Sequence, residues 1–177
     1  MLIDRFTYSA ALVMLATSVA GCFGSTDPLV EAEDSVMLFG QEGRAVRVLY
    51  DQIGGPSQEE VAFVWRNNAY ELYRGRLREP AAHRLQKLEG EWYIWEKFEA
   101  GQAAAYGLAR REGPRLWTYA PVCAQLSAEE RRALNLVISK DAAGLCRLST
   151  RAQLVGAMRP LIERQPKLLG YYEVMER

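Results

Sequence analysis

The sequence predicts an α+β fold that is mostly β, in which an antiparallel meander of about six or more strands precedes two helices near the C-terminal end. Three observations lead to this prediction. Apolar and polar residues alternate with period two over residues 36–119, turn-forming residues interrupt the alternation at short intervals, and helical spacing replaces it afterwards. A sheet of this size curls, and the pattern leaves open whether it closes into a barrel or stays open beneath the helices.

The first predicted strands lie before a glycine-rich break. Residues 46–51 alternate between apolar and polar side chains, as expected for a strand with one buried face. Residues 36–39 are apolar and are predicted to pair with that strand across a turn at residues 41–43. The sequence Gly-Gly-Pro-Ser at residues 54–57 then predicts a break in the sheet.

Three hairpins follow at short intervals. Asn67 and Asn68 separate the strands of the first, and asparagine tolerates the positive φ that a tight hairpin turn demands. Turns that contain glycine, at residues 89–90 and 112–114, separate the strands of the other two. Because short links favour neighbouring antiparallel strands, these segments predict a continuous meander. The predicted strand pairs are 61–66 with 70–76, 84–88 with 92–98, and 104–110 with 115–119.

The pattern then changes to that of a helix. Ser127 and Glu130 have the spacing of a capping box, in which each residue hydrogen-bonds the backbone of the other. Leu134, Val137 and Ile138 would lie along one face of the helix that follows. The sequence therefore predicts a helix that begins after Ser127 and continues to Ile138.

A second helix is predicted after Thr150. Thr150 and Gln153 repeat the capping-box spacing, and apolar residues follow at helical intervals. Pro160 removes an amide donor and is predicted to kink or split this helix, and Pro166 is predicted to end it. Residues 168–174 are predicted to form a last strand, whose pairing with the meander would tie down the C-terminus.

The N-terminal segment has the composition of an export signal. Residues 6–26 carry no charge, and Ala, Leu, Val and Met dominate residues 8–20. The four residues Val-Ala-Gly-Cys at 19–22 resemble the lipobox of bacterial lipoprotein precursors. The resemblance implies cleavage before Cys22 and attachment of lipid to its sulfur and its new amino group. The alternatives are a retained membrane helix and ordinary secretory cleavage, and all three would export the rest of the chain.

The resemblance implies a domain organisation and a location. It divides the chain into a signal peptide (1–21), a lipidated N-terminus with a flexible tether (22–34) and a single globular domain (35–177). Several acyl chains on Cys22 would anchor the domain stably to a membrane. In lipoproteins of bacteria with two membranes, aspartate directly after the lipidated cysteine commonly signals retention in the inner membrane. Phe23 in this position implies the outer membrane, facing the periplasm.

Composition limits the classes of function. The chain has 22 basic and 22 acidic residues, so it lacks the basic excess of a broad nucleic-acid-binding surface. Its high apolar content, 49%, argues against a disordered domain. We therefore expect a membrane as partner through the lipid, an envelope protein or a glycan as a further partner, and no nucleic acid.

The two remaining cysteines predict a disulfide. An exported protein meets an oxidising compartment, where Cys123 and Cys146 are more often bridged than free. The alternative is two separate buried thiols. A metal site is not expected, because His83 is the only histidine and no two cysteines of the chain are separated by two residues, as in a Cys-x-x-Cys motif.

Four tryptophans are candidates for a binding face. Trp65, Trp92, Trp95 and Trp117 all fall on predicted strands, where aromatic side chains commonly fill the core. Successive strand residues point to opposite faces, so some aromatic side chains must lie outside the main core. An exposed cluster of them could stack on a glycan or receive an apolar side chain of a partner.

Catalytic signals are weak. The chain contains no nucleophile elbow, phosphate-binding loop, zinc-protease motif or dinucleotide fingerprint, and no cofactor is expected. His83 could act as a general base, but no nucleophile is identifiable beside it. The leading hypothesis is therefore a noncatalytic binding or assembly module. The alternatives are a carrier or sensor of a small apolar ligand and a hydrolase whose site is dispersed in the sequence.

Overall fold

The computed structural model of the chain describes residues 23–51, 55–139 and 144–175. Strands dominate these residues, and two α-helices lie near the C-terminal end, so the prediction of a mostly β α+β fold is confirmed. Short 3-10 helices at Ala32–Asp34 and Cys123–Gln125 complete the described elements. The strands and helices are β1 (Phe23–Ser25), β2 (Glu42–Asp51), β3 (Gly55–Arg66), β4 (Ala69–Arg74), β5 (Leu77–Glu89), β6 (Trp92–Phe98), β7 (Ala104–Glu112), β8 (Arg115–Ala120), α1 (Ala128–Ala133), β9 (Val137–Ile138), β10 (Cys146–Arg147), α2 (Arg151–Leu161) and β11 (Lys167–Val174).

An antiparallel barrel of eight strands forms the body of the described chain. Each strand from β2 to β7 pairs with the next strand along the chain. Strand β11 closes the ring, because Tyr172 pairs with Leu116 of β8 on one side and with Arg47 of β2 on the other. An eight-stranded barrel has an interior that side chains fill or that holds one small ligand.

The strand register divides apolar side chains between two layers. On β6, Tyr93 points into the barrel and the next residue, Ile94, points outward beneath α2. The outer layer packs the apolar face of α2, including Leu154 and Met158, against the barrel wall. The apolar interior of the barrel consists of Ala45, Val61, Phe63, Tyr70, Leu72, Leu85, Tyr93, Ala109 and Leu116.

Residues 35–41 close one end of the barrel, and we call them the plug segment. The backbone N–H of Val36 donates to the carbonyl oxygen of Leu85 at 2.8 Å, and that of Phe39 donates to the hydroxyl of Tyr70 at 2.9 Å. The Phe39 ring packs on Phe63, with 6.4 Å between centroids. The prediction that residues 36–39 form a strand is therefore wrong. Val36, Leu38 and Phe39 pack against the apolar interior and Met37 is exposed. The segment forms only an isolated bridge, from Ser35 to Gln86, and does not join the sheet as a strand.

The chain directly after Cys22 is packed against the barrel. Phe23 lies opposite Cys146 in a parallel pair and is fully buried, and Val30 is buried in the same outer layer. The predicted flexible tether over residues 22–34 is therefore wrong from Phe23 onward. Burying the side chains of Phe23 and Val30 lowers the free energy of the chain, and a solvated linker would leave them exposed to water. Cys22 and the predicted signal peptide lie outside the described residues.

Local signals placed most turns and caps correctly. Asn67 and Asn68 have φ values of 50° and 56° in the β3–β4 hairpin. Ser127 and Thr150 both cap helices through the predicted capping boxes. Pro160 lies in the last turn of α2 and does not split it, because only the final turn loses a donor.

Three predicted boundaries are wrong. Helix α2 ends at Leu161, before the predicted end at Pro166. Helix α1 ends at Ala133, since Asn135 takes a positive φ of 50°, and Val137 and Ile138 form β9, which pairs with β10. Strand β3 begins at Gly55, inside the predicted break, and Pro56 lies opposite Tyr50 of β2. At α1 and at β3, strand pairing overrides the local pattern.

No helix among the residues that the structure describes is long and apolar enough to cross a membrane.

Candidate functional site

The structure separates the four candidate tryptophans into two pairs. Trp65 and Trp95 face the barrel interior, where Trp65 lies 4.7 Å from the ring centroid of Tyr70. Trp92 and Trp117 face outward, and all four side chains are half-buried. The four therefore do not form one binding face.

The outward-facing Trp117 belongs to a small surface cluster. Its ring lies 4.8 Å from that of Tyr171, and its indole N–H donates to Glu112 at 3.1 Å. The guanidinium of Arg115 lies 5.1 Å from the centroid of Tyr171. We call Trp117, Tyr171 and Arg115 the exterior aromatic cluster.

A cavity of about 140 Å³ lies inside the barrel, at the end opposite the plug segment. It extends to the place where β7 and β8 separate, because their pairing stops at Leu108 and Tyr119 and β1 pairs with β7 beyond it. A smaller cavity of about 50 Å³ lies deeper, within the apolar interior, and shares some of the same wall. We call the larger space the barrel cavity, and it is lined by Arg47, Leu49, Glu79, His83, Trp95, Lys97, Ala105, Tyr106, Gly107, Tyr119, Ala120, Leu169 and Tyr172.

His83 lies on the boundary between the two cavities. It is 6% exposed, and its Nδ1 accepts a hydrogen bond of 2.9 Å from the indole N–H of Trp95. The proton of the neutral imidazole is therefore assigned to Nε2, which has no hydrogen-bond partner among the described residues. Burial lowers the pKa of His83 to about 3, and the positive charge of Lys97 acts in the same direction. His83 is thus a neutral donor with an unused N–H.

Arg47 is held by two carboxylates at the same end of the barrel. Its Nε donates to Glu59 at 2.8 Å and its Nη2 donates to Glu79 at 2.7 Å, and its side chain is 8% exposed. Burial opposes ionisation of Glu79, but its hydrogen bonds and charge interactions with Arg47 and Arg74 lower its pKa overall. Arg47 therefore serves an internal ion network, which limits its availability to a ligand.

Lys97, unlike Arg47, is a cation on the cavity wall that is not held by carboxylates of the described residues. It lies directly opposite His83 in the β5–β6 register, and its side chain lines the barrel cavity. Within the described part of the chain, its ammonium makes no ion pair or hydrogen bond. The cavity therefore has two unused donors on neighbouring strands, one of them charged.

These polar positions were missed as site residues in the sequence, although a signal was present. Lys97 shares its strand face with Tyr93 and Trp95, and Arg47 shares its face with Ala45, so both place a charge on an otherwise apolar face. A charged residue on the apolar face of a strand indicates either that the strand has reached the end of the barrel or that the face carries a polar site. His83 stands out in the sequence as the only histidine, but its bond to Trp95 is not predictable there. The predicted strand begins only at residue 84, and the bond depends on the exact register of β5 and β6.

The disulfide lies in the outer layer, away from the cavity. The structure joins Cys123 to Cys146, with 5.8 Å between their Cα atoms, and both residues are buried. It connects the 3-10 helix at Cys123–Gln125 to β10, which pairs with β1. Its role is to hold these short elements on the barrel.

The hydrogen bonds of His83 and the lining of the barrel cavity define the chemistry of the site. His83 accepts from an indole and not from a hydroxyl or thiol nucleophile, which a base in covalent catalysis would require. Among the described residues, no group of three or more His, Cys, Asp or Glu side chains could hold a metal ion. What the barrel cavity offers is an apolar wall with two hydrogen-bond donors. No family model, no curated protein and no solved structure matches the chain.

Proposed function

We propose that this protein binds a small ligand in the barrel cavity and acts as a carrier or sensor. The observation that carries this proposal is the buried Nε2–H of His83, which has no partner among the described residues although His83 lines the barrel cavity. Leaving such a donor unsatisfied costs about 1–3 kcal/mol, and an acceptor on a ligand would remove that cost. The unused donor therefore favours a ligand over an empty space.

The size of the cavity limits the ligand. A volume of about 140 Å³ is close to that of an engineered apolar cavity, about 150 Å³, that binds benzene. Trp95, Tyr172 and Leu169 provide apolar wall, and the small residues Ala105 and Gly107 leave the space open. The proposed ligand is therefore compact, with a body about as large as one aromatic ring.

A second candidate function is assembly with another envelope component. The exterior aromatic cluster supports it, because Trp, Tyr and Arg are the residues that most often anchor protein interfaces, and aromatic rings also stack on glycans. Trp117 is half-buried and tied to Glu112, so part of its surface is already used within the chain. The barrel cavity therefore ranks first.

The proposed location follows from the resemblance of the leader. We propose that Cys22 carries lipid and that the barrel is held at the outer membrane, facing the periplasm. The burial of Phe23 supports a short connection, because the sheet begins directly after Cys22. A ligand taken up there would be a small molecule of the envelope space.

The test is binding of compact probes to the purified protein. We expect benzamide, hexanamide or their carboxylate counterparts to bind saturably and to raise the melting temperature, because a ligand that binds only the folded state stabilises it. Ala105→Leu should remove binding by filling the cavity, whereas Ala103→Leu is the matched control on an exposed residue. Absence of saturable binding by every probe to folded wild-type protein would overturn the proposal.

A further inference from the structure

We infer that the ligand of the barrel cavity is a small organic anion, a carboxylate with a compact apolar body, held by Lys97 and His83. This inference rests on the proposed function and adds the chemical class of the ligand. Lys97 supplies the charge, and the Nε2–H of His83 supplies a directed hydrogen bond. Together they favour an anionic acceptor over a neutral one.

The register brings the two donors together. His83 on β5 and Lys97 on β6 are directly opposite one another and both line the barrel cavity. Side chains in such a pair start about 4.5–5.5 Å apart at Cβ, so both can reach the two oxygens of one carboxylate. His83 cannot turn its other nitrogen to the ligand without losing its bond to Trp95.

The charge balance at this end of the barrel favours a monoanion. Arg47 contacts Glu59 and Glu79, and Arg74 reaches the same two carboxylates at 3.6 and 3.1 Å. These two cations and two anions neutralise one another. Lys97 is then the charge that remains on the cavity wall, and one carboxylate would balance it.

The rest of the wall selects for an apolar body. Trp95 and Tyr172 line both cavities, so an apolar group that enters the larger one meets aromatic surface on its inner side. Gly107 keeps this space narrow but open, because a Cβ there would lie 3.0 Å from the carbonyl oxygen of Tyr119 and 3.5 Å from Trp95. The shape therefore accepts one ring or a short chain behind the carboxylate.

The experiment compares matched charged and neutral probes by calorimetry at neutral pH. We expect benzoate and hexanoate to bind the wild-type protein about tenfold or more tightly than benzamide and hexanamide, because an ionised acceptor makes the stronger hydrogen bonds. Lys97→Met should remove this preference, because it removes the charge that strengthens the hydrogen bonds to a carboxylate. Lys167→Met, on an exposed lysine outside the cavity wall, is the matched control and should retain the preference.

The outcomes separate this inference from the proposed function. Equal binding of carboxylates and amides by the wild-type protein would overturn the anion inference and leave the carrier in place. A preference for carboxylates that persists in folded Lys97→Met would overturn the role of Lys97. If that variant does not fold, Lys97→Gln replaces it, and the wild-type comparison still decides the ligand class. No binding of either probe class would overturn both proposals.

Discussion

At the scale of single residues, His83 is a histidine that the fold keeps neutral. Burial lowers its pKa to about 3, and the neighbouring charge of Lys97 adds to the effect, whereas the ordinary value is 6.5. Below that ordinary value the unfolded chain binds a proton that the folded chain does not bind. The free energy of unfolding must therefore fall as the pH decreases from about 6.5 toward 3, and this contribution is absent above that window.

This linkage predicts the behaviour of His83→Gln. The wild-type protein should lose stability between pH 7 and pH 5. Below the pKa of His83 in the unfolded chain, about 6.5, the folding equilibrium constant should fall by up to about tenfold for each pH unit. The variant should lose less over the same interval. Because His83 is the only histidine in the chain, urea unfolding of the two proteins at several pH values isolates its contribution. Parallel pH profiles for both proteins would contradict the buried neutral imidazole.

At the scale of elements, the region between β8 and α2 is built from pieces too short to be stable alone. Helix α1 has six residues, and β9 and β10 have two each. Isolated helices of this length are unstable in water. Their position depends on the capping box of α1, on the ion pair between Glu130 and Arg164, and on the disulfide from Cys123 to Cys146.

The disulfide should therefore be present in protein taken from the envelope and should matter for stability. Mass spectrometry of the nonreduced protein should show Cys123 linked to Cys146. The double variant Cys123→Ser, Cys146→Ser should unfold more easily by about 2–4 kcal/mol, the usual effect of removing such a cross-link. Complete alkylation of both thiols without prior reduction would contradict the bridge, and wild-type protein treated with reductant provides the control.

At the scale of the whole molecule, closure of the barrel and its connection to the N-terminus are linked. Strand β7 pairs with β6 on one edge and with both β8 and β1 on the other, so β1 continues the wall where β8 stops. Glu96, fully buried outside the barrel, accepts the backbone N–H groups of Leu29 and Val30 at 2.7 and 3.0 Å. A lipid on Cys22 would thus hold the barrel itself close to the membrane.

The anchor is tested by Cys22→Ser. Lipid attachment requires the sulfur of Cys22, so this variant should remain as an unprocessed precursor or be released from the membrane fraction. Wild-type protein grown with a labelled fatty acid should carry the label on its N-terminal cysteine, and cell fractionation should locate it in the outer membrane. Absence of label on wild-type Cys22 would reject the lipoprotein proposal and leave the barrel-cavity proposal untouched.

The sequence by itself determined the local structure. Alternation of apolar and polar residues predicted most strands, Asn67 and Asn68 predicted a hairpin, and Ser127 and Thr150 predicted the starts of both helices. Each of these features depends on residues within a few positions of one another, because turn geometry and helix capping are short-range.

Only the tertiary structure decided what the interior contains. The plug segment and the closure of the barrel by β11 depend on contacts across long stretches of chain. The meeting of His83 with Trp95 and Lys97 depends on the exact register of the β5–β6 hairpin, which the sequence pattern does not fix. Gly170 illustrates the reason: a Cβ there would lie 2.0 Å from the carbonyl oxygen of Val48, a constraint created only when β11 lies beside β2. The barrel cavity exists because the barrel closes, and closure is a property of the register between distant strands.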